Sequence, residues 1–316
     1  GRASMIPDSV MRDSAAGDSA AGDSGMGAFS APEIESLRAG GTSLAGRVTI
    51  GASEQPLYRR SVGRLWPDIA TLAEAGETRP FRLAVDGYLV RDGRLLLGDP
   101  GEARDLAAAF RRAPAASMAE IENGTCNLAA HDPTRRVTII ANDETGCLPL
   151  LVHRGRDAIA FANDLPGLHA IVPHLTEDPI GRAELYWFGY QIGDRTQFRD
   201  VTCILPGTLM TIDWRSGAIA TEDWRSGRRP VAGATGSAHD LAADVVEAMR
   251  TACRRLQRPE RRYSIKLSGG MDSRLIAGCA AIPDLEAFNF TAPGTIECRI
   301  ARKIHGNLAL PAMPAA

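Results

Sequence analysis

Lysine is almost missing from this chain: of 36 basic residues only Lys266 and Lys303 are lysine. We read that skew as codon bias. The formal net charge of −2 offers nothing for a nucleic-acid backbone or an anionic membrane surface to hold, so neither is expected as a partner. No run of eighteen apolar residues occurs, which excludes a membrane-spanning helix, and no continuous apolar h-region marks a secretory signal. The six cysteines (Cys126, Cys147, Cys203, Cys253, Cys279 and Cys298) form no Cys-x-x-Cys pair. Their wide spacing argues against a zinc ribbon and against a small disulfide scaffold, and a reducing, cytoplasmic compartment is expected. His131, His153, His169 and His174 lack metal-ligand spacing, and no Gly-x-Ser-x-Gly elbow of a serine hydrolase is present.

What is there suits a folded protein of about two domains: 316 residues, 44% apolar and 23% charged. Residues 1–40 read as a low-complexity tail. Asp13-Ser14-Ala15-Ala16-Gly17 repeats as Asp18-Ser19-Ala20-Ala21-Gly22, and such a stretch buries too little apolar area to offset its ordering entropy. Residues 41–225 read as β-rich, with short strands at Arg47–Ile50, Phe81–Val85, Val137–Ala141, Leu148–Val152 and Ala158–Ala162. A helix starts at Asp99-Pro100, with Asp99 as its cap and Leu106 and Phe110 on one face. The pentapeptide Asp-Trp-Arg-Ser-Gly, at 213–217 and again at 223–227, reads as hairpin chemistry between Thr208–Trp214 and Ala218–Trp224.

Residues 226–240 are rich in Gly, Ala, Ser and Pro and read as a linker. In 241–316 the texture alternates: a helix with Leu241, Val245, Met249 and Leu256 on one face, a strand at Tyr263–Leu267, a helix at Arg274–Ala281, a strand at Leu285–Phe290 and a helix at Ile296–Asn307. That alternation predicts a parallel α/β sheet. Two glycosylation triplets, at Asn123 and Asn289, are short enough to arise by chance.

The sharpest signal is Ser268-Gly269-Gly270-Met271-Asp272-Ser273, set between a strand and a helix. Open α/β sheets bind ligands at this place, outside the carboxyl end of a strand. Two glycines admit close approach of the backbone to an anion, and the following helix adds its positive end. Ser268 and Ser273 offer hydroxyls to phosphate, and Asp272 can hold a Mg²⁺ that bridges phosphates. The set suits the pyrophosphate part of a nucleotide. The spacing of a Walker A loop is absent.

Ser-Gly-Gly-Met-Asp-Ser resembles the pyrophosphate loop of the ATP pyrophosphatases, and of the asparagine synthetases in particular. Phe288-Asn289-Phe290-Thr291-Ala292-Pro293-Gly294 is similar to the next strand of that family's synthetase domain, and 296–310 to the helix after it. Upstream, 141–150, 122–133, 161–164 and the stretch from Leu185 to Pro206-Gly207 resemble amidotransferase segments in the same order. The resemblance implies an α+β N-terminal amidotransferase-like sandwich of the N-terminal-nucleophile type, followed by an α/β parallel-sheet ATP pyrophosphatase domain. ATP and Mg²⁺ are the implied cofactors. Leu267 and Phe290 would contact the adenosine, Ser268, Gly269, Gly270, Asp272 and Ser273 the pyrophosphate, and Asp272 the Mg²⁺.

Two departures qualify the match. The chain begins Gly1-Arg2-Ala3 where the family's mature chain begins with the nucleophilic cysteine, and Asp86-Gly87-Tyr88 stands for the family's Asn-Gly-Glu substrate loop. Glutamine hydrolysis is therefore not expected, and Cys147 reads as a buried structural cysteine. About 75 residues follow the linker, so the synthetase domain is expected to be truncated or partial. The function expected from the resemblance is an ATP-dependent amide-forming ligase. A small-molecule or peptide carboxylate is activated as an acyl-adenylate, and ammonia or an amine then attacks it. The related β-lactam synthetases and lasso-peptide cyclases use an internal amine, and a non-catalytic remnant, a partner subunit or a homodimer are the other readings.

Overall fold

The computed structural model describes residues 29–39, 42, 44–59, 69–73, 78–96, 98–227, 236–282, 284–308 and 310. In chain order, helix α1 (Ala31–Ala39) leads to β1 (Leu44–Thr49), β2 (Leu57–Arg59), β3 (Ala70–Leu72), β4 (Phe81–Arg91) and β5 (Arg94–Leu96). Helices α2 (Pro100–Arg112) and α3 (Pro114–Ala119) follow, then β6 (Asn123–Asp132), β7 (Val137–Asn142), β8 (Leu151–Arg154) and β9 (Ala158–Ala162). Next come α4 (Leu165–Ile171), α5 (Pro179–Phe188), β10 (Val201–Cys203), β11 (Thr208–Asp213) and β12 (Ile219–Asp223). The remainder is α6 (Ala238–Leu256), β13 (Ser264–Lys266), α7 (Met271–Ala280), β14 (Glu286–Phe288) and α8 (Ile296–Asn307).

Two antiparallel sheets stack face to face. One has strand order β10-β8-β9-β1-β2; the other has β12-β11-β7-β6-β4-β3, with β5 also on β4. Side chains alternate across a strand, so a strand with both faces covered must be apolar throughout. Ile139, Ile140 and Ala141 of β7 show the consequence. Ile140 enters the layer between the sheets with Val48, Phe161 and Ile212, while Ile139 and Ala141 point the other way, toward Leu106, Phe110 and Met118 of α2 and α3. The outer face of the first sheet packs on Leu37 of α1 and on Leu168 and Ile171 of α4. The result is four layers, helix–sheet–sheet–helix, the α+β sandwich expected for this region.

The repeated Asp-Trp-Arg-Ser-Gly has a packing role that its turn chemistry did not reveal. Asp213 accepts hydrogen bonds from the Ser216 N–H and hydroxyl, closing the first turn. Both tryptophans are buried, on opposite faces of the same sheet. Trp214 joins the layer between the sheets and Trp224 the layer under α2 and α3. Each indole N–H is satisfied, by Thr138 Oγ1 at 2.8 Å and by the Asn142 carbonyl at 3.1 Å.

The structure corrects several expectations. Residues 31–39, placed in the tail, form α1, and Leu37 is fully buried; residues 1–28 lie outside the described residues. Asp99 sits at the cap position of α2 without a capping hydrogen bond. The strand expected from Leu148 starts at Leu151. Cys147 is exposed, not buried, and receives a hydrogen bond from the Thr145 hydroxyl. Asp86-Gly87-Tyr88 lies inside β4, paired to β6, and is no loop. Residues 238–240, read as linker, already belong to α6, opened by a Ser237–Asp240 capping box; residues 228–235 lie outside the described residues.

In 236–310, β13 and β14 pair in parallel, with Ile265 opposite Ala287. Leu267, Ala277, Ala287, Ala301 and Ile304 form a small core there. The expected apolar face of α6 is not buried, and Val245 is 55% exposed. The C-terminal end of α6 rests on the β4–β5 hairpin, where Leu256 packs beside Val90 and Leu95. Arg258 donates to the Leu95 carbonyl at 3.0 Å and lies 3.8 Å from both Asp99 and Glu102; Arg255 meets Glu122 at 2.9 Å.

Candidate functional site

Because β13 and β14 are parallel, the loops that leave them emerge at the same edge of the sheet. The first loop, 268–270, runs into α7; the second, 289–295, runs into α8. The two helix N-termini are neighbours: a Cβ added at Gly269 would lie 3.3 Å from Glu297 Cγ and 3.4 Å from Glu297 Cα, in the first turn of α8. The first N–H groups of each helix have no partner inside it, and each end carries a partial positive charge. Two such ends side by side make an edge suited to an anion.

Helix α7 starts at Met271, three residues before the expected Arg274, so Asp272 and Ser273 stand in its first turn. Gly270 is its cap residue and contributes no side chain to capping. The serines supply the missing order. Ser268 Oγ and Ser273 Oγ are 2.9 Å apart, the Ser268 N–H donates to Ser273 Oγ at 3.1 Å, and the Gly270 N–H donates to Ser268 Oγ at 3.1 Å. Neither Gly269 nor Gly270 has a positive φ, so the glycines serve close approach and not a left-handed turn. Asp272 is exposed and, among the described residues, makes no hydrogen bond or ion pair.

Leu267 is buried, with its N–H on the Phe288 carbonyl at 2.8 Å. Phe290 is 76% exposed at the end of the second strand, its ring 5.0 Å from Phe288 and 5.4 Å from Lys266 Nζ. All seven expected site residues thus lie on the two strand ends and the first turn that follows. Two residues that sequence reasoning passed over hold the edge together. Asn289 donates from Nδ2 to the Leu267 carbonyl at 2.7 Å and accepts the Thr291 N–H at 2.8 Å, tying one loop to the other. Glu297 places a second carboxylate beside the first loop. Mg²⁺ takes one or two carboxylates and completes its shell with phosphate oxygens and water. Asp272, exposed in the first turn of α7, fits that donor set, and no cluster of three metal-ligating side chains exists among the described residues.

No helix among the described residues is long and apolar enough to cross a membrane. No protein family and no curated protein matches the chain. Among solved structures it is similar to glutamine phosphoribosylpyrophosphate (PRPP) amidotransferase from B. subtilis complexed with ADP and GMP, at 12% identity and a TM-score of 0.41, over 89% of this chain and 86% of that one. It is also similar to a structure of the allosteric regulatory enzyme of purine biosynthesis, at 14% identity and a TM-score of 0.39, over 81% of this chain and 61% of that one. Likeness at this level carries no activity from one chain to the other.

Proposed function

We propose that the edge formed by residues 267–273 and 289–297 binds Mg·ATP and that the chain belongs to an ATP-dependent, amide-forming ligase. The observation that carries this reading is the juxtaposition of the two helix N-termini around a Ser-Gly-Gly loop, with an unengaged carboxylate, Asp272, at the lip. The pyrophosphate of ATP would lie across the loop, received by backbone N–H groups and by the two serine hydroxyls. The exposed Phe290 ring and the strand end at Leu267 would face the adenosine. A bound Mg²⁺ would offset the phosphate charge. In the reaction, a substrate carboxylate attacks the α-phosphorus, pyrophosphate leaves, and an amine displaces AMP from the acyl-adenylate to form the amide.

The test is calorimetric titration with Mg·ATP and with inorganic Mg·pyrophosphate. Asp272→Ala is expected to weaken both by at least about tenfold, the equivalent of roughly 1.4 kcal/mol. Chelating the Mg²⁺ should bring the unaltered chain to the level of the variant. Equal affinity of the two proteins for Mg·ATP overturns the assignment of Asp272. Absence of nucleotide binding by the unaltered chain overturns the function.

A further inference from the structure

Helix α5 is turned inside out. Its boundaries are well specified: Asp178 caps it by accepting the Ile180 N–H, Pro179 takes the first position, and Gly189 closes it in the left-handed region with φ 76°. Yet its one buried residue is Gly181. The helix approaches the sandwich backbone-first there. A Cβ on Gly181 would lie 1.9 Å from the Thr196 carbonyl oxygen, so the contact admits no side chain. The apolar side chains point outward. Tyr186 is 82% exposed, Trp187 76%, Phe188 56% and Tyr190 64%, with Ile180 and Ile192 beside them. Four of the chain's 17 aromatic residues therefore stand within five positions, all of them in solvent.

The rings are ordered against each other. Tyr186 and Trp187 meet edge to face at 5.5 Å, and Phe188 and Tyr190 are 6.3 Å apart. Such a surface is preorganised and loses little entropy when covered. At about 150–250 Å² per ring, the four aromatics expose on the order of 550 Å². With the neighbouring aliphatic residues this approaches the roughly 800 Å² per partner of a standard interface. The described residues of the α/β segment do not cover it. That segment docks at β5, on the β4 edge of the second sheet, whereas α5 is bound to the segment leading into β10, the far edge strand of the first.

Charge narrows the choice of occupant. The two charged side chains of α5 are engaged within the copy: Arg182 is paired with Glu177, and Glu184 with Arg195 at 3.2 Å. An isologous contact sets each patch against itself, which a charged patch resists and a neutral aromatic one permits. We infer that this face is covered by α5 of a second copy of the chain, forming a two-fold dimer through Tyr186, Trp187, Phe188 and Tyr190.

Sedimentation velocity of the chain decides the matter. At about 50 µM the unaltered protein is expected to sediment as a dimer. Trp187→Glu is expected to weaken association by at least about 30-fold, as loss of a central aromatic anchor does. Since Trp187 is 76% exposed in the single copy, its replacement leaves the fold in place, which an unchanged far-ultraviolet circular dichroism spectrum verifies. Tyr186→Ser serves as a second, uncharged probe and is expected to weaken the dimer as well. A chain that is monomeric at about 100 µM would overturn the inference and leave the patch to a different protein. A dimer insensitive to both substitutions overturns it equally.

Discussion

Replacing Gly87 by alanine is expected to unfold the sandwich or lower its melting temperature by roughly 10 °C or more. Gly87 lies within β4 opposite Cys126 of β6, and its φ is +95°. An added Cβ would stand 2.0 Å from the Thr125 carbonyl oxygen and 3.0 Å from both Cys126 Cα and Leu148 Cδ1. The obstruction is backbone of the neighbouring strand, which cannot turn aside as a side chain can. Three costs combine: about 1–3 kcal/mol for a non-glycine residue in that conformation, a similar amount for overpacking, and about 1 kcal/mol for each ladder bond displaced. Together they reach about 4 kcal/mol or more, against a total stability of roughly 5–15 kcal/mol. The control is Gly93→Ala in the β4–β5 turn. There φ is also positive, at +71°, but no atom lies within 4 Å of the added Cβ. That change is expected to cost only about 1 kcal/mol. Thermal melts of the two variants separate steric obstruction from conformational strain, and equal shifts would refute the account of Gly87.

Gly87 also marks where sequence reading stops. Asp86-Gly87-Tyr88 is conspicuous in the sequence, but nothing local says that β4 and β6 are pressed together there. Gly124 on the opposite strand, with φ +155° and the Tyr88 carbonyl 2.6 Å from its would-be Cβ, is the other half of that approach. The strands at Val137–Asn142 and Ala158–Ala162 were legible because a strand buried on both faces is a short apolar run. Helix α1 was not: among its described side chains Leu37 is the one that is fully buried, and charged residues surround it in the sequence. Helix α5 escaped for the opposite reason, since its apolar residues do not face the core that periodicity is used to find.

The site divides along the same line. Ser268 through Ser273 were readable because the chemistry lies in consecutive residues. The start of α7 was misplaced because its cap is Gly270, which bears no capping side chain. Asn289 and Glu297 were missed because their roles exist only across the gap between two loops. Asn289 had registered as part of a chance glycosylation triplet and of the Phe288–Gly294 segment, with no role of its own.

Acidification from pH 7 to pH 4 is expected to remove on the order of 3 kcal/mol of stability through His131 alone. Its ring is fully buried between the sheets and stacks edge to face with Trp214 at 5.9 Å. Three hydrogen bonds fix its state. The Trp214 indole N–H donates to Thr138 Oγ1, which leaves the Thr138 hydroxyl to donate to His131 Nδ1 at 2.8 Å. Nε2 faces the Pro56 carbonyl at 3.2 Å and must carry the ring's proton. A second proton has no acceptor, because Nδ1 already receives one. Burial, reinforced by the charge of Arg82, pushes the pKa from 6.5 down to about 3. The folded imidazole therefore stays neutral while the unfolded one binds a proton below about pH 6.5. Stability is intact above that value and falls by about 1.4 kcal/mol per pH unit down to about pH 3, where the folded ring also charges. Urea unfolding at pH 7, 5.5 and 4 measures the slope. In His131→Gln, which cannot titrate, the part of the slope due to this ring should vanish although the variant is less stable at pH 7. A slope unchanged by the substitution would place the acid sensitivity elsewhere.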